Sequence, residues 1–195
     1  IRDAIMGICQ SGGGMRWISI NTQVIKSGTG QASSVVSSFT DVTARRDQMQ
    51  RLDLTITGAG LGVWDLNLFT GGVRFNSIFA RILGYSLDEL RPTRQFWESL
   101  IHPEDRELAR KQLELHLLGE SPDYRCEYRL KNKQGFWQWI LASGRIVERD
   151  LEGQPLRMAG VHIDIANIKE MESRLRESEN RMRLIFDTAM DAIVS

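Results

Sequence analysis

The sequence predicts an α+β fold, one antiparallel sheet with helices gathered on one face, and three observations carry that expectation. Two short strand-like runs fall between Gly62 and Phe75, helical spacing follows from Ser77 to Leu118, and three longer strand-like runs fill Asp123 to Ile163. Strands joined by short turns pair antiparallel, and a helical insert between them covers one face of the sheet. The last three runs also have a counterpart near the start of the chain, so the pattern is part of a repeat.

Taken in order, the first 40 residues read as strands. Gly12-Gly13-Gly14 makes a turn before Met15–Ile20, Gly28 and Gly30 make another, and Ala32–Thr40 is rich in β-branched residues. Asp41-Val42-Thr43 opens a charged helical stretch with Val42, Met49, Leu52 and Ile56 on one side, where Asp41 or Thr43 caps the exposed amides. Residues 133–175 repeat this layout about 122 positions later: Trp139 stands where Trp17 stood, and Asp164-Ile165-Ala166 where Asp41-Val42-Thr43 stood. A shorter echo aligns 185–194 with 55–64. The expected organisation is therefore the back half of one module (1–42), a linker helix (43–57), a whole module (58–166), a long helix (167–189) and the start of a third module (190–195), its strand beginning at Asp191.

Within the whole module, Gly62–Asn67 is a short alternating strand, Thr70-Gly71-Gly72 a hairpin turn, and Val73–Phe75 a second strand. Ser77–Gly84 reads as a short helix with Ile78, Phe79, Ile82 and Leu83 inward. Ser86 with Glu89 has the spacing of a capping box opening another short helix. Pro103 starts a longer helix to about Leu118, with Leu108, Gln112, Leu115 and His116 at helical spacing and Gly119 as its stop. Turns at Asn132–Gly135 and Asp150–Gln154 then separate the strands Asp123–Lys131, Phe136–Glu148 and Leu156–Ile163.

The long helix carries apolar or small residues at Ile168, Met171, Leu175, Ser178, Met182, Ile185 and Ala189, steps that alternate three and four. Pairs such as Glu170/Arg174 and Glu177/Arg181 place the acid four residues ahead of the base, worth roughly 0.2–0.5 kcal/mol each to a helix. So narrow a seam on a charged helix fits pairing with a second copy. An amphipathic helix lying on its own domain is the other reading that the spacing leaves open. On the first reading Ile168, Met171, Leu175, Met182 and Ile185 form a homodimer seam, and Asp41 and Asp164 stand where each sheet hands over to its helix.

Balanced charge, 25 Lys plus Arg against 25 Asp plus Glu in 195 residues, gives no pull toward nucleic acid or an anionic membrane. No apolar run is long enough to span a bilayer, and the first residues lack a signal-peptide layout. Two isolated cysteines, Cys9 and Cys126, have no metal or redox spacing and suit a reducing cytosol. No phosphate-binding glycine loop, nucleophile elbow or other catalytic pattern stands out, so catalysis within these residues is not expected.

Gly62-Val63-Trp64-Asp65, Phe75-Asn76, Leu83-Gly84-Tyr85-Ser86 with Glu89-Leu90, Ile101-His102-Pro103-Glu104-Asp105-Arg106, Arg129-Leu130 up to Gly135, Trp139 and Asp164-Ile165-Ala166 occur in that order. Together they resemble the PAS domain family with its PAC tail, over about 110 residues and half repeated. Ala166 departs from the family pattern, which has Thr there; Thr43 keeps it. The resemblance implies a five-stranded sheet cupped over a small-molecule pocket and a terminal helix that signals to an effector, in bacteria a histidine kinase or a cyclic-di-nucleotide cyclase or phosphodiesterase.

Pocket candidates on that resemblance are Trp64, Phe79, Leu83, Trp97, Tyr128, Trp139 and Met158, and aromatics of this kind suit a planar ligand. A plain packed core is the competing reading. Trp137 and Trp139 share one strand face and Ile140 the other, so only one set looks inward. His102 is expected to cap or pack, His162 to be satisfied within its strand, and His116 falls off the position where haem-binding relatives keep their iron ligand. The helix Asn76–Leu83 lacks the cysteine of covalent flavin chemistry. Haem and covalent flavin are therefore not expected. Two function classes remain in view: a sensor and relay module with a small ligand, redox signal or partner as input, and a ligand-free dimerisation spacer.

Overall fold

The structure, a computed structural model, describes residues 3–26 and 32–194; the turn expected at Gly28 and Gly30, and Ser195, lie outside the described residues. The chain divides into two compact units, 1–59 and 60–195.

In the first unit, β1 (Ala4–Cys9), β2 (Met15–Lys26) and β3 (Ala32–Asp41) form an antiparallel sheet in the order β1-β2-β3. Gly13, at φ 84°, makes the first turn, where the Gln10 amide donates to Gly14 O. Helix α1 (Thr43–Gly58) follows. Ile5, Met6, Val35, Val36 and Phe39 remain 47–65% exposed, so this sheet has three strands and no covered apolar face among its described residues. Cys9 is free and exposed.

The second unit holds β4 (Gly62–Asn67), β5 (Val73–Phe75), β6 (Tyr124–Lys131), β7 (Trp137–Arg149) and β8 (Pro155–Asp164) in one antiparallel sheet of order β5-β4-β8-β7-β6. The insert after β5 contributes α2 (Ser77–Ile82), α3 (Arg94–Leu100) and α4 (Arg106–Leu117), and α5 (Ala166–Val194) leaves the end of β8. Alternation decides which side chains enter the core: Trp64 and Leu66 from β4, Tyr124, Cys126, Tyr128 and Leu130 from β6, Ile140 and Ala142 from β7, Met158 and His162 from β8. Phe79, Leu83, Tyr128, Leu130, Ile140 and Met158 are the largest fully buried side chains, each worth roughly 1.5–3 kcal/mol on removal from water.

Local chemistry starts the helices where the core needs them. The Asn76 carboxamide accepts from the Phe79 amide, capping α2, accepts from the Val63 amide and donates to Leu61 O, so one side chain fixes α2 against β4. The Thr93 hydroxyl accepts from the Phe96 amide and caps α3, a helix that the sequence reading missed. Ser86 opens only a short 3-10 turn, Leu87–Glu89, with its amide bonded to the Glu89 carboxylate. The buried face of α4 is Ala109, Leu113 and His116, one residue round from the expected Leu108, Gln112, Leu115 and His116. Leu108 is exposed because the 3-10 turn Pro103–Asp105 offsets the helix before its first α-helical residue. Helix α5 runs through Val194, so the strand expected from Asp191 is helical here.

The internal repeat is visible atom by atom at the two strand-to-helix junctions. Val42 N donates to Trp17 O at 2.8 Å, and Ile165 N to Trp139 O at 3.0 Å. Asp41 accepts from the Thr43 amide and from Arg16; Asp164 accepts from the Ala166 amide and from Gln138, the residue matching Arg16. A cation lies over the matching indole in each case, Arg46 over Trp17 and Lys169 over Trp139. One bond differs: Thr43 Oγ1 accepts from the Trp17 amide, whereas Ala166 has no hydroxyl to offer Trp139.

Two glycines on neighbouring strands seat the Trp64 indole. Gly144 and Gly160 pair across β7 and β8, and a Cβ on either would stand 2.5–2.6 Å from Trp64 Cζ2. Gly160→Ala also meets the backbone of Ser143 and Gly144, which cannot give. It is expected to cost at least about 1–3 kcal/mol, read as a lowered denaturant midpoint at unchanged slope, whereas the open-turn variant Gly12→Ala leaves the midpoint in place.

Candidate functional site

The inner face of the sheet and helices α3 and α4 enclose a cavity of about 30 Å³. Its walls include Trp64 from β4, Trp97 from α3, Leu113 from α4, Tyr124 from β6, and Met158 and His162 from β8. An outer groove of about 340 Å³ between α3 and α4 shares Arg94, Trp97 and Leu113 with the cavity, so the Trp97 side chain stands between the two spaces. Arg94 is engaged, its Nε donating to Glu98 at 2.7 Å.

The rings of the cavity form a contiguous cluster around His162. Its centroid lies 5.9 Å from Trp64, 5.0 Å from Phe79 and 6.1 Å from Tyr128; Tyr128 is edge-on to Trp97 at 6.1 Å, and Trp64 edge-on to Tyr124 at 6.3 Å. His162 Nε2 and the Tyr128 hydroxyl share a 2.7 Å hydrogen bond. Burial lowers the His162 pKa to about 3 and raises that of Tyr128 well above the phenol range, so both stay neutral. Burial also pushes Tyr124, on the same strand as Tyr128, well above the usual phenol range and Cys126 up to about 11, and both share this uncharged character.

Four buried side-chain polar atoms have no hydrogen-bond partner among the described residues: Trp64 Nε1, Trp97 Nε1, Tyr124 Oη and His162 Nδ1. All four belong to residues that line the cavity. None of the four atoms opens onto the cavity, whose surface is entirely apolar, and the Tyr128 hydroxyl is the polar neighbour of Trp97 and Tyr124.

Of the seven pocket candidates, Trp64, Trp97 and Met158 line the cavity, and Tyr128 reaches it through His162. Phe79 and Leu83 lie in the core beneath it. Trp139 belongs elsewhere. It is on the outer face of β7, opposite to Ile140, with Arg129 at 5.3 Å and Lys169 at 5.4 Å from its ring. Strand alternation sends Ile140, Ala142 and Gly144 inward, and that excludes its neighbour Trp139. The sequence reading left out Tyr124 and took His162 as satisfied within its strand, whereas only its Nε2 is paired, with Tyr128 of β6. The signal for His162 was its place four residues after Met158, in phase on the same strand.

His102 caps the 3-10 turn by accepting from the Glu104 amide and packs edge-on against Trp137, as expected. His116 uses both ring nitrogens on backbone: Nδ1–H donates to Ser121 O at 2.8 Å, and Nε2 accepts from the Ile146 amide at 3.2 Å. An iron ligand there would have to abandon the Ile146 bond.

Strand β6 connects the cavity with the root of α5. Tyr124, Cys126 and Tyr128 point inward, while Glu127 and Arg129 between and after them point outward. Glu127 pairs with Lys169 of α5 at 2.7 Å. Arg129 bonds Asp105, just before α4, through its amide and guanidinium. Those bonds hold the Asp105 carboxyl below the usual range, a group only partly buried.

A family model described as PAS fold matches residues 73–162. A sensory box histidine kinase/response regulator from Burkholderia thailandensis is 33% identical, with a TM-score of 0.60, over 68% of this chain and 98% of that structure. The chain belongs to the PAS-fold family. This PAS domain is also similar to parts of two curated proteins: the probable diguanylate cyclase DgcE of Escherichia coli, 25% identical over 75% of this chain, and the sensor protein FixL of Bradyrhizobium diazoefficiens, 27% identical over 71% of this chain. The matches span 13% and 27% of those two proteins. Among the described residues no helix is long and apolar enough to cross a membrane.

Because His162 is neutral when folded and titrates near 6.5 when unfolded, the unfolded chain binds the extra proton between those values. Stability is full above about pH 6.5 and falls as pH drops toward 3, by up to about 1.4 kcal/mol per pH unit from this residue. His162→Gln is expected to flatten that part of the stability curve, measured by urea unfolding from pH 7 to pH 4; an unchanged slope would place the titrating group elsewhere.

Proposed function

We propose that this PAS domain is a sensory relay that binds a small molecule in the cup and passes its effect along β6 and β8 to α5. The single observation that carries the reading is β6 itself, whose inward Tyr124 walls the cavity while outward Glu127 grips α5. A ligand that shifts β6 changes that grip, and it does so only by the difference between its affinities for the two arrangements. Asp164, which ties β7 to the first turn of α5 through Gln138 and the Ala166 amide, is the matching contact from β8.

On this reading 1–42 is the back half of a preceding module of the same kind, 43–57 its linker helix, 58–166 the complete module, 167–189 the signalling helix, and 190–195 leads into a further module. The fragment has a relay role and no catalysis of its own; it works in the cytoplasm, and the effector is a histidine kinase or a diguanylate cyclase or phosphodiesterase. The similarity to DgcE and to sensor kinases supports that choice.

The relay works between two copies joined through α5. Ile168, Met171, Leu175, Met182 and Ile185 are all 53–66% exposed, so the seam is not folded onto its own domain. A spacer without ligand is the second reading, and the cavity volume of about 30 Å³ favours it, being far too small for a planar cofactor.

Light scattering on the purified chain is expected to give the mass of two copies, and Leu175→Glu, which puts a charge into the seam, to give one. A wild-type monomer across the concentration range removes the shared helix from the proposal. Mass spectrometry under non-denaturing conditions separates relay from spacer: a retained small molecule supports the first, and unchanged effector output when Trp97 and Met158 are substituted supports the second.

A further inference from the structure

The charges flanking the α5 seam decide how a second copy lies, on the premise, taken from the relay reading, that two copies meet there. Ile168, Leu175 and Met182 form one set of seam positions, and Met171, Ser178 and Ile185 the other. The residues just after Met171 and Ser178 are Glu172 and Glu179. Those just before Leu175 and Met182 are Arg174 and Arg181. One side of the seam is therefore acidic and the other basic, and all four residues are exposed.

Nothing in the module covers this face. At about 100° per residue, Lys169, gripped by Glu127 of β6, points nearly half a turn away from Met171. The sheet thus holds one side of α5 and leaves the seam on the other. Within the helix Arg174 and Arg181 each have an acid one turn back, Glu170 and Glu177. Those pairs leave the two arginine side chains 76% and 75% exposed, open to a second partner.

Orientation follows from which flanks meet. In a parallel pair the residue before one seam position meets the residue five further on in the other helix, so Arg174 meets Glu179 of the second copy, twice by symmetry. In an antiparallel pair like flanks meet, Arg174 against Arg181 and Glu172 against Glu179, cation on cation and acid on acid. Ser178 adds a register. Parallel pairing sets it against another Ser178, hydroxyl to hydroxyl, whereas the antiparallel seam sets it against Leu175.

We propose that α5 binds a second copy of this chain parallel and in register, selected by the two Arg174–Glu179 contacts that close the seam. Both modules then act on the same end of one two-stranded rod.

The test uses the whole chain with Cys9→Ser, because Cys9 is exposed and Cys126 buried. Added Met171→Cys is expected to give a disulfide-linked dimer on mild oxidation, since a disulfide needs Cα atoms within about 7 Å. In an antiparallel pair the two copies of residue 171 stand about 16 Å apart along the axis, and a mixture of Met171→Cys and Met182→Cys chains crosslinks instead. Arg174→Glu tests selection by charge. It is expected to loosen the dimer about tenfold in sedimentation equilibrium, and mixing it with the Glu179→Arg chain to recover that loss as a heterodimer. Crosslinking between positions 171 and 182, or a dimer tightened by Arg174→Glu, overturns the proposal and leaves the shared helix in place. A wild-type monomer overturns both.

Discussion

The module depends on one steric arrangement, an indole lying across a sheet where two adjacent strands have no side chains. Trp64 occupies the space over Gly144 and Gly160, where a Cβ on either glycine would collide with its ring. Packing of this density transmits displacement, because a close-packed interior has little room to absorb it. The indole therefore forms part of the cavity wall. Where a flat sheet would bring a β-branched pair, these glycines leave a trough, and the helices then close over what the trough does not fill.

The rings round the cup carry polar atoms, yet only their apolar faces meet the cavity. The Tyr128 hydroxyl, on β6, is bonded to His162 Nε2, and Trp97 and Tyr124 lie beside it. Outside the cup the same strand reverses character, with Arg129 and Glu127 engaged in ion pairs to Asp105 and Lys169. One strand thus faces two media, and its alternation keeps them apart.

Much of this fold was legible in the residues, for physical reasons that vary by element. Period-2 alternation located β4 and β6–β8 to within a residue or two, and Gly135 and Gly153, both at positive φ, marked their turns. The junction repeat was legible because Asp, Trp and the helix start recur at fixed spacing. Helix α3 was not, since seven residues capped by Thr93 carry too little periodicity to register. The buried face of α4 was misplaced by one residue because a 3-10 turn precedes it and shifts its phase. Trp139 was a pocket candidate on the resemblance, with the inward face of its strand left open; its neighbour Ile140 holds that side of the pleat. The meeting of Trp64, Trp97, Tyr124 and His162 round the cavity could not be read, because they come from four separate elements.

The two strand-to-helix junctions are near copies with different ties. Thr43 and Arg16 hold the first. At the second, Ala166 offers no hydroxyl, neutral Gln138 stands in for Arg16, and Lys169 reaches Glu127. The hydroxyl's bond is worth about 0.5–1.5 kcal/mol. At the exit of the complete module its loss is offset by the Lys169–Glu127 pair, so the hold of sheet on helix there includes an ion pair that salt weakens.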